Sequence, residues 1–189
     1  MPFKPTRLAV AAAMLMAAAP ALAATYDVQV DPNVTVTPTP VLAGQTVRIY
    51  SSIVNVGTED VEGVAFISDD GGQIAVKPYS AKSGGKAEEV WTLWTPASQG
   101  THTIRVDAVN DGNIPDATPG DNTRTVSVFV DIDTDGDGIG NATDQDDDGD
   151  GVPDDQDQFP LDPSKSKDTD GDGQDNAADS DDDNDGLYD

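Results

Sequence analysis

From Thr46 to Val54 apolar and polar residues take turns, so Val47, Ile49 and Ile53 fall on one face of an extended chain. The same alternation, or a β-branched run, recurs along residues 25–130. Tyr26 to Val30 and Val34 to Thr37 read as opening strands. Val64 to Ser68 precedes a turn at Asp69-Asp70-Gly71-Gly72, and Ile74 to Val76 follows it. Glu89 to Thr95 stops at Pro96. His102 to Ala108 and Arg124 to Val130 close the set. That makes about seven strands in about 105 residues, with no helical period. The pattern predicts an all-β, immunoglobulin-like sandwich over 24–130. Ile104, Val106, Val126, Val128 and Val130 join Val47, Ile49 and Ile53 as its expected core. Trp91 and Trp94 stand three apart on one predicted strand, so they should face opposite sides, one of them in the core.

After residue 130 the alternation ends and a repeat begins. Asp133-Thr134-Asp135-Gly136-Asp137-Gly138 returns at Asp146, at Asp168 and, with Asn184 for the first glycine, at Asp181. Alternate carboxylates followed by glycine form a cage for a hard divalent cation, above all calcium. A loop of this type draws on positions 1, 3, 5, 7, 9 and 12, position 7 through its backbone carbonyl, with glycine at 6. The first loop supplies Asp133, Asp135, Asp137, Ile139, Asn141 and Asp144. The second supplies Asp146, Asp148, Asp150, Val152, Asp154 and Asp157, and the third Asp168, Asp170, Asp172, Gln174, Asn176 and Asp179. A fourth offers Asp181, Asp183, Asp185 and Leu187, and the chain stops at Asp189, before position 12. Truncation there is therefore expected. Asp at position 12 is one methylene shorter than Glu. The expected affinity of an isolated loop is on the order of 10⁻⁴ to 10⁻³ M, at the extracellular end of the range.

Spacing excludes an EF-hand, which needs a helix on each side of its loop. Only Gln145 separates the first two loops. The longer connection, Gln158 to Lys167, carries Pro160 and Pro163. A dockerin is disfavoured for the same reason.

Charge sharpens this division. The chain carries a formal −26. Residues 131–189 hold 23 Asp against two Lys (Lys165 and Lys167) and no Glu, a formal −21. Without metal this stretch should be expanded, because few apolar groups oppose its repulsion. So acidic a chain is a poor partner for nucleic acid or anionic membranes.

The N-terminus reads as a signal peptide over 1–23. Lys4 and Arg7 precede an apolar run from Leu8 to Ala19, and Ala21-Leu22-Ala23 forms a small-x-small cleavage site. No membrane span is expected once it is removed. Export places the protein outside the cell or at its surface, or in a periplasm, where weak calcium sites fill. The absence of Cys rules out disulfides.

Two resemblances follow from these motifs. Ala43-Gly44-Gln45-Thr46-Val47, Asn55-Val56-Gly57, Trp94-Thr95-Pro96, Gly100-Thr101-His102-Thr103-Ile104 and Asp121-Asn122-Thr123-Arg124-Thr125-Val126 resemble the bacterial cell-adhesion-related β-sandwich domain. Residues 131–189, with their 35-residue double-loop period and Phe159-Pro160-Leu161-Asp162-Pro163, resemble the cysteine-free thrombospondin type 3 repeat. Together they imply an extracellular, non-enzymatic, calcium-wrapped protein whose partner is an unidentified surface protein or glycan.

Other candidates are weaker. His102 is the only histidine and cannot make a usual zinc site without Cys; its strand position predicts a surface residue. No Gly-x-Ser-x-Gly elbow exists. The acidic stretch Asp111 to Asp121 reads as a solvated turn or as a further cation holder. Trp91 or Trp94 could serve as a sugar platform, which would make the sandwich a glycan-binding module. A third role is a non-catalytic accessory region of a secreted hydrolase.

Overall fold

The structure, a computed structural model, describes residues 25–111 and 115–188. The expected signal peptide lies outside the described residues. Among the described residues nine strands form and there is no helix. They are β1 (Val28–Val30), β2 (Thr35–Thr37), β3 (Val41–Leu42), β4 (Val47–Asn55), β5 (Val61–Asp69), β6 (Gly72–Ala81), β7 (Ala87–Trp94), β8 (Gly100–Asn110) and β9 (Thr123–Asp131). No described helix is long and apolar enough to cross a membrane.

The strands make two sheets. In the first, β4 pairs with β7 on one side and with β1 and β2 on the other, all antiparallel. In the second the order is β3-β9-β8-β5-β6. β1 and β2 lie end to end along β4: Val30 faces Ile53 and Thr35 faces Tyr50. The chain then crosses to the other sheet, where β3 pairs parallel with β9 through Val41 and Val130. This crossing holds the two sheets at one edge.

β4 is the clearest case of sequence writing structure. Its residues alternate buried and half-exposed, and Val47, Ile49 and Ile53 are at most 1% exposed. Ile104, Val106 and Val130 are fully buried opposite them. Val126 and Val128 pack against this cluster while remaining partly exposed. Trp94 points inward at 5% exposure, and Trp91 points outward beneath the Arg48 guanidinium, 4.6 Å from its ring centre.

Two expectations need correction. The strand count among the described residues is nine. The two-residue β3 exists only through its pairing with β9, which no local pattern announces. β6 runs through Pro78 to Ala81 at the edge of its sheet, a position at which proline is tolerated in a strand. The second correction concerns His102, which is 8% exposed rather than on the surface. Its Nδ1 lies 3.0 Å from both Asp69 carboxylate oxygens, and its Nε2 lies 3.0 Å from the Ser98 carbonyl. The ring stands edge-on to Trp94, whose indole N–H donates to Asp69 at 3.2 Å. A charged partner and an aromatic wall make this inward position tolerable for a polar residue.

Candidate metal centre

Each aspartate loop is built from its own carboxylates. In the first, the position-1 side chain of Asp133 accepts the N–H groups of Gly136 and Gly138 at 2.8 and 3.1 Å. Asp135 accepts the Asp137 N–H at 3.0 Å, and Asp137 accepts the Ile139 N–H at 2.7 Å. The second loop repeats the scheme with Asp146, Asp148 and Asp150, and the third with Asp168, Asp170 and Asp172. In the fourth, Asp181, Asp183 and Asp185 turn inward on Asp185, Gly186 and Leu187. Short carboxylates suit this task, since each reaches an amide two to five residues onward without leaving the turn.

The glycine at position 6 is required by its backbone. Gly138, Gly151, Gly173 and Gly186 all have φ between 89° and 97°, a region closed to most side chains. At position 4 the fourth loop substitutes Asn184, with φ 55°, and asparagine is among the residues that enter this region most readily.

These bonds gather the carboxylates. Asp133, Asp135 and Asp137 each place an oxygen within 4.8 Å of the other two. So do Asp146, Asp148 and Asp150, and again Asp168, Asp170 and Asp172. The second loop is the most enclosed. Asp148 is 5% exposed, and its Oδ2 is buried with no hydrogen-bond partner. The position-12 residue Asp157 also has an enclosed, unpartnered Oδ2. Burial raises the Asp148 pKa, and the charges of Asp150, Asp157 and Asp146 push it the same way against one backbone bond. The donor set is all oxygen, as a hard cation requires.

At position 9 the side chains bond across the loop. The Asn141 carboxamide is spent on Thr134, accepting its N–H at 3.1 Å and donating to its hydroxyl at 2.8 Å. Asn176 does the same to Thr169, and Asp154 accepts the Asp147 N–H at 2.9 Å. These residues close the loop across its base. At position 12, Asp144 and Asp179 accept the N–H groups that open the next loop. Position 7 (Ile139, Val152, Gln174, Leu187) contributes its N–H to the position-5 carboxylate.

Two structural aspartates were not singled out by their spacing. Asp131, at the end of β9, is 4% exposed. It accepts from Gln99 Nε2 at 3.2 Å, from the Ile132 N–H at 2.9 Å and from the Ala142 N–H at 3.0 Å. It thereby joins the sandwich to the first loop. Asp175 occupies position 8 of the third loop and binds the N–H groups of Ser166, Lys167 and Ala177. Those bonds hold its pKa down. The signal for each was an aspartate out of register with the repeat.

No protein-family model matches the chain, and a comparison with curated proteins finds no match. Solved structures share the sandwich. A CARDB domain from Pyrococcus furiosus, described as a complex with di-metal ions, superposes with a TM-score of 0.51 at 16% identity, covering 57% of this chain and 94% of that one. The 272–376 domain of a Methanosarcina acetivorans protein ascribed to the cell surface gives a TM-score of 0.46 at 20% identity, over 56% of this chain and 92% of that one. A β-glucosidase from Listeria innocua gives 0.37 at 12% identity, over 56% of this chain and 16% of the enzyme. The Pyrococcus likeness establishes the fold of the strand-bearing region as that of a CARDB-type sandwich.

Proposed function

We propose that this is an exported, non-enzymatic calcium-binding protein, in which the aspartate loops form a calcium-stiffened stalk for the sandwich at the cell surface. One observation carries the reading. The second loop encloses oxygens of Asp148 and Asp157 that meet no donor, within a ring of like charges. Leaving a carboxylate oxygen buried and unpaired is costly, and a divalent cation removes both the cost and the repulsion. Asp133, Asp135 and Asp137, and their counterparts in the other loops, would hold further ions. Bound calcium would supply the attraction that the tail lacks in apolar contacts: Ile139, Leu161 and Leu187 are 46–70% exposed. Binding energy then becomes folding energy.

The role that fits such a stalk is adhesion or spacing, with an extracellular protein or glycan as partner. Small-angle scattering and circular dichroism during a calcium titration test the reading. Chelation is expected to expand residues 131–189 while the sandwich stays folded. A radius of gyration unchanged between chelator and millimolar calcium would refute it.

A further inference from the structure

Enclosed carboxylates of the sandwich normally meet donors. Asp107 is held by Arg105 at 2.7 Å and by the Thr123 hydroxyl at 2.6 Å. Asp69 meets His102 and Trp94, and Asp131 meets Gln99 and two backbone N–H groups. One group breaks this rule. Asp27 lies just before β1, while Asp116 and Asp121 lie on the connection from β8 to β9. All three place an oxygen within 4.8 Å of the others. Asp27 Oδ1, Asp121 Oδ1 and the neighbouring Asn122 Oδ1 are each completely buried and have no hydrogen-bond partner.

The backbone builds this cluster. The Val30 N–H donates to the Asp121 carbonyl at 3.0 Å and the Ala117 N–H to the Tyr26 carbonyl at 2.8 Å. The Val28 N–H donates to Asp116 Oδ2 at 3.1 Å, and the Thr118 N–H to Asp116 Oδ1 at 2.9 Å. The Thr118 hydroxyl donates to Asp27 Oδ2 at 3.5 Å. Burial raises the Asp27 pKa first, and the charges of Asp116 and Asp121 raise it further. The Tyr79 hydroxyl, on a side chain only 3% exposed, is also unpartnered, and burial with the Asp116 charge pushes its pKa up to about 12. Three mutually repelling carboxylates, two of them with a buried oxygen that meets no donor, are relieved by a positive charge between them.

We propose that Asp27, Asp116 and Asp121 hold a divalent cation of the hard, oxygen-seeking class, calcium above all, on the sandwich itself. The ion ties β1, in the first sheet, to the connection that leads into β9, in the second. It is independent of the tail sites, so a tail that took no calcium would leave this site standing.

Thermal melts of the full chain, in EGTA and in millimolar calcium, test it with tryptophan fluorescence as the readout. Both tryptophans lie on β7, so the signal reports the unfolding of the sandwich. The melts are run in a background carrying Asp133→Asn, Asp146→Asn, Asp168→Asn and Asp181→Asn, which silences the tail. Calcium is expected to raise the midpoint by about 5 °C. Adding Asp27→Asn with Asp121→Asn should abolish that rise, lift the midpoint in EGTA, and remove one calcium per chain in equilibrium dialysis. A background chain with no calcium-dependent shift overturns the site, as does a shift that survives the double substitution. If the double variant lacks a cooperative transition, Asp27→Asn alone replaces it; a shift cut at least by half supports the site, and an undiminished one overturns it.

Discussion

In the sandwich, peptide N–H groups find carbonyls on neighbouring strands, and apolar side chains close over Ile49, Ile53 and Ile104. In residues 132–188 they find aspartate carboxylates two to five residues away, and no residue of the buried apolar cluster lies there. The first region holds itself with water-averse surface, the second with charge that has to be neutralised. A fold of the first kind needs no ion to exist. One of the second kind uses the same carboxylates to shape its turns and to repel itself, so on the proposed reading its stability would be set by the cation supply. Asp131 joins the two regimes, with one oxygen on Gln99 of the sandwich and the other on Ala142 of the first loop.

The contrast is broken most strongly from the sandwich side. Ile104→Ala removes a fully buried side chain and should cost about 2–5 kcal/mol in chemical denaturation followed by tryptophan fluorescence. Tail calcium uptake, counted by calorimetry, is expected to persist. If uptake vanished with the sandwich, the two regions would be one cooperative unit.

From the tail side, Asp148→Asn keeps shape and removes one charge at the most enclosed loop. Calcium affinity there should fall at least about tenfold, while Asp155→Asn, at an exposed position between ligands, should leave it unchanged. Equal effects from both would point to a diffuse polyanion instead of sites.

The junction can be cut separately. A Cβ on Gly140 would stand 2.5 Å from Asp131 Oδ2 and 2.8 Å from its Cγ, and Asp131 is pinned at the end of β9. Gly140→Ala should cost about 1–3 kcal/mol and lower the tryptophan midpoint in calcium. An unchanged midpoint would mean that the link transmits nothing.

The smallest effect is pH dependence of the sandwich in EGTA. Burial lowers the His102 pKa, but the Ser98 carbonyl, Asp69 and Asp70 outweigh it, so the net shift is upward. A raised folded-state pKa gives stability that is complete below the unfolded value, near 6.5, and is lost as pH rises through the folded value. The tryptophan midpoint should therefore be higher at pH 6 than at pH 8. His102→Gln should flatten that slope, and a slope of the same size in the variant would assign the effect elsewhere.

Much of this was legible locally. Period-two alternation marked β4, β7, β8 and β9, and spacing alone put Trp91 and Trp94 on opposite faces. The Asp-x-Asp-x-Asp-Gly register marked all four loops, because each is closed by bonds within a few residues. What the spacing did not announce is that Asn141, Asp154 and Asn176 also clasp their loops through Thr134, Asp147 and Thr169, contacts that only the folded loop shows.

By itself, then, the sequence determined what depends on near neighbours: strand faces, turn glycines, and the supply of carboxylates at fixed intervals. Tertiary structure alone decided the rest. It turned His102 inward onto Asp69, ran β3 parallel to β9, set Asp131 between two regions, and brought Asp27 to Asp116 and Asp121. The physical reason is range. A turn is settled by bonds across a few residues, whereas a buried charge is settled by whichever distant segment supplies, or fails to supply, its partner.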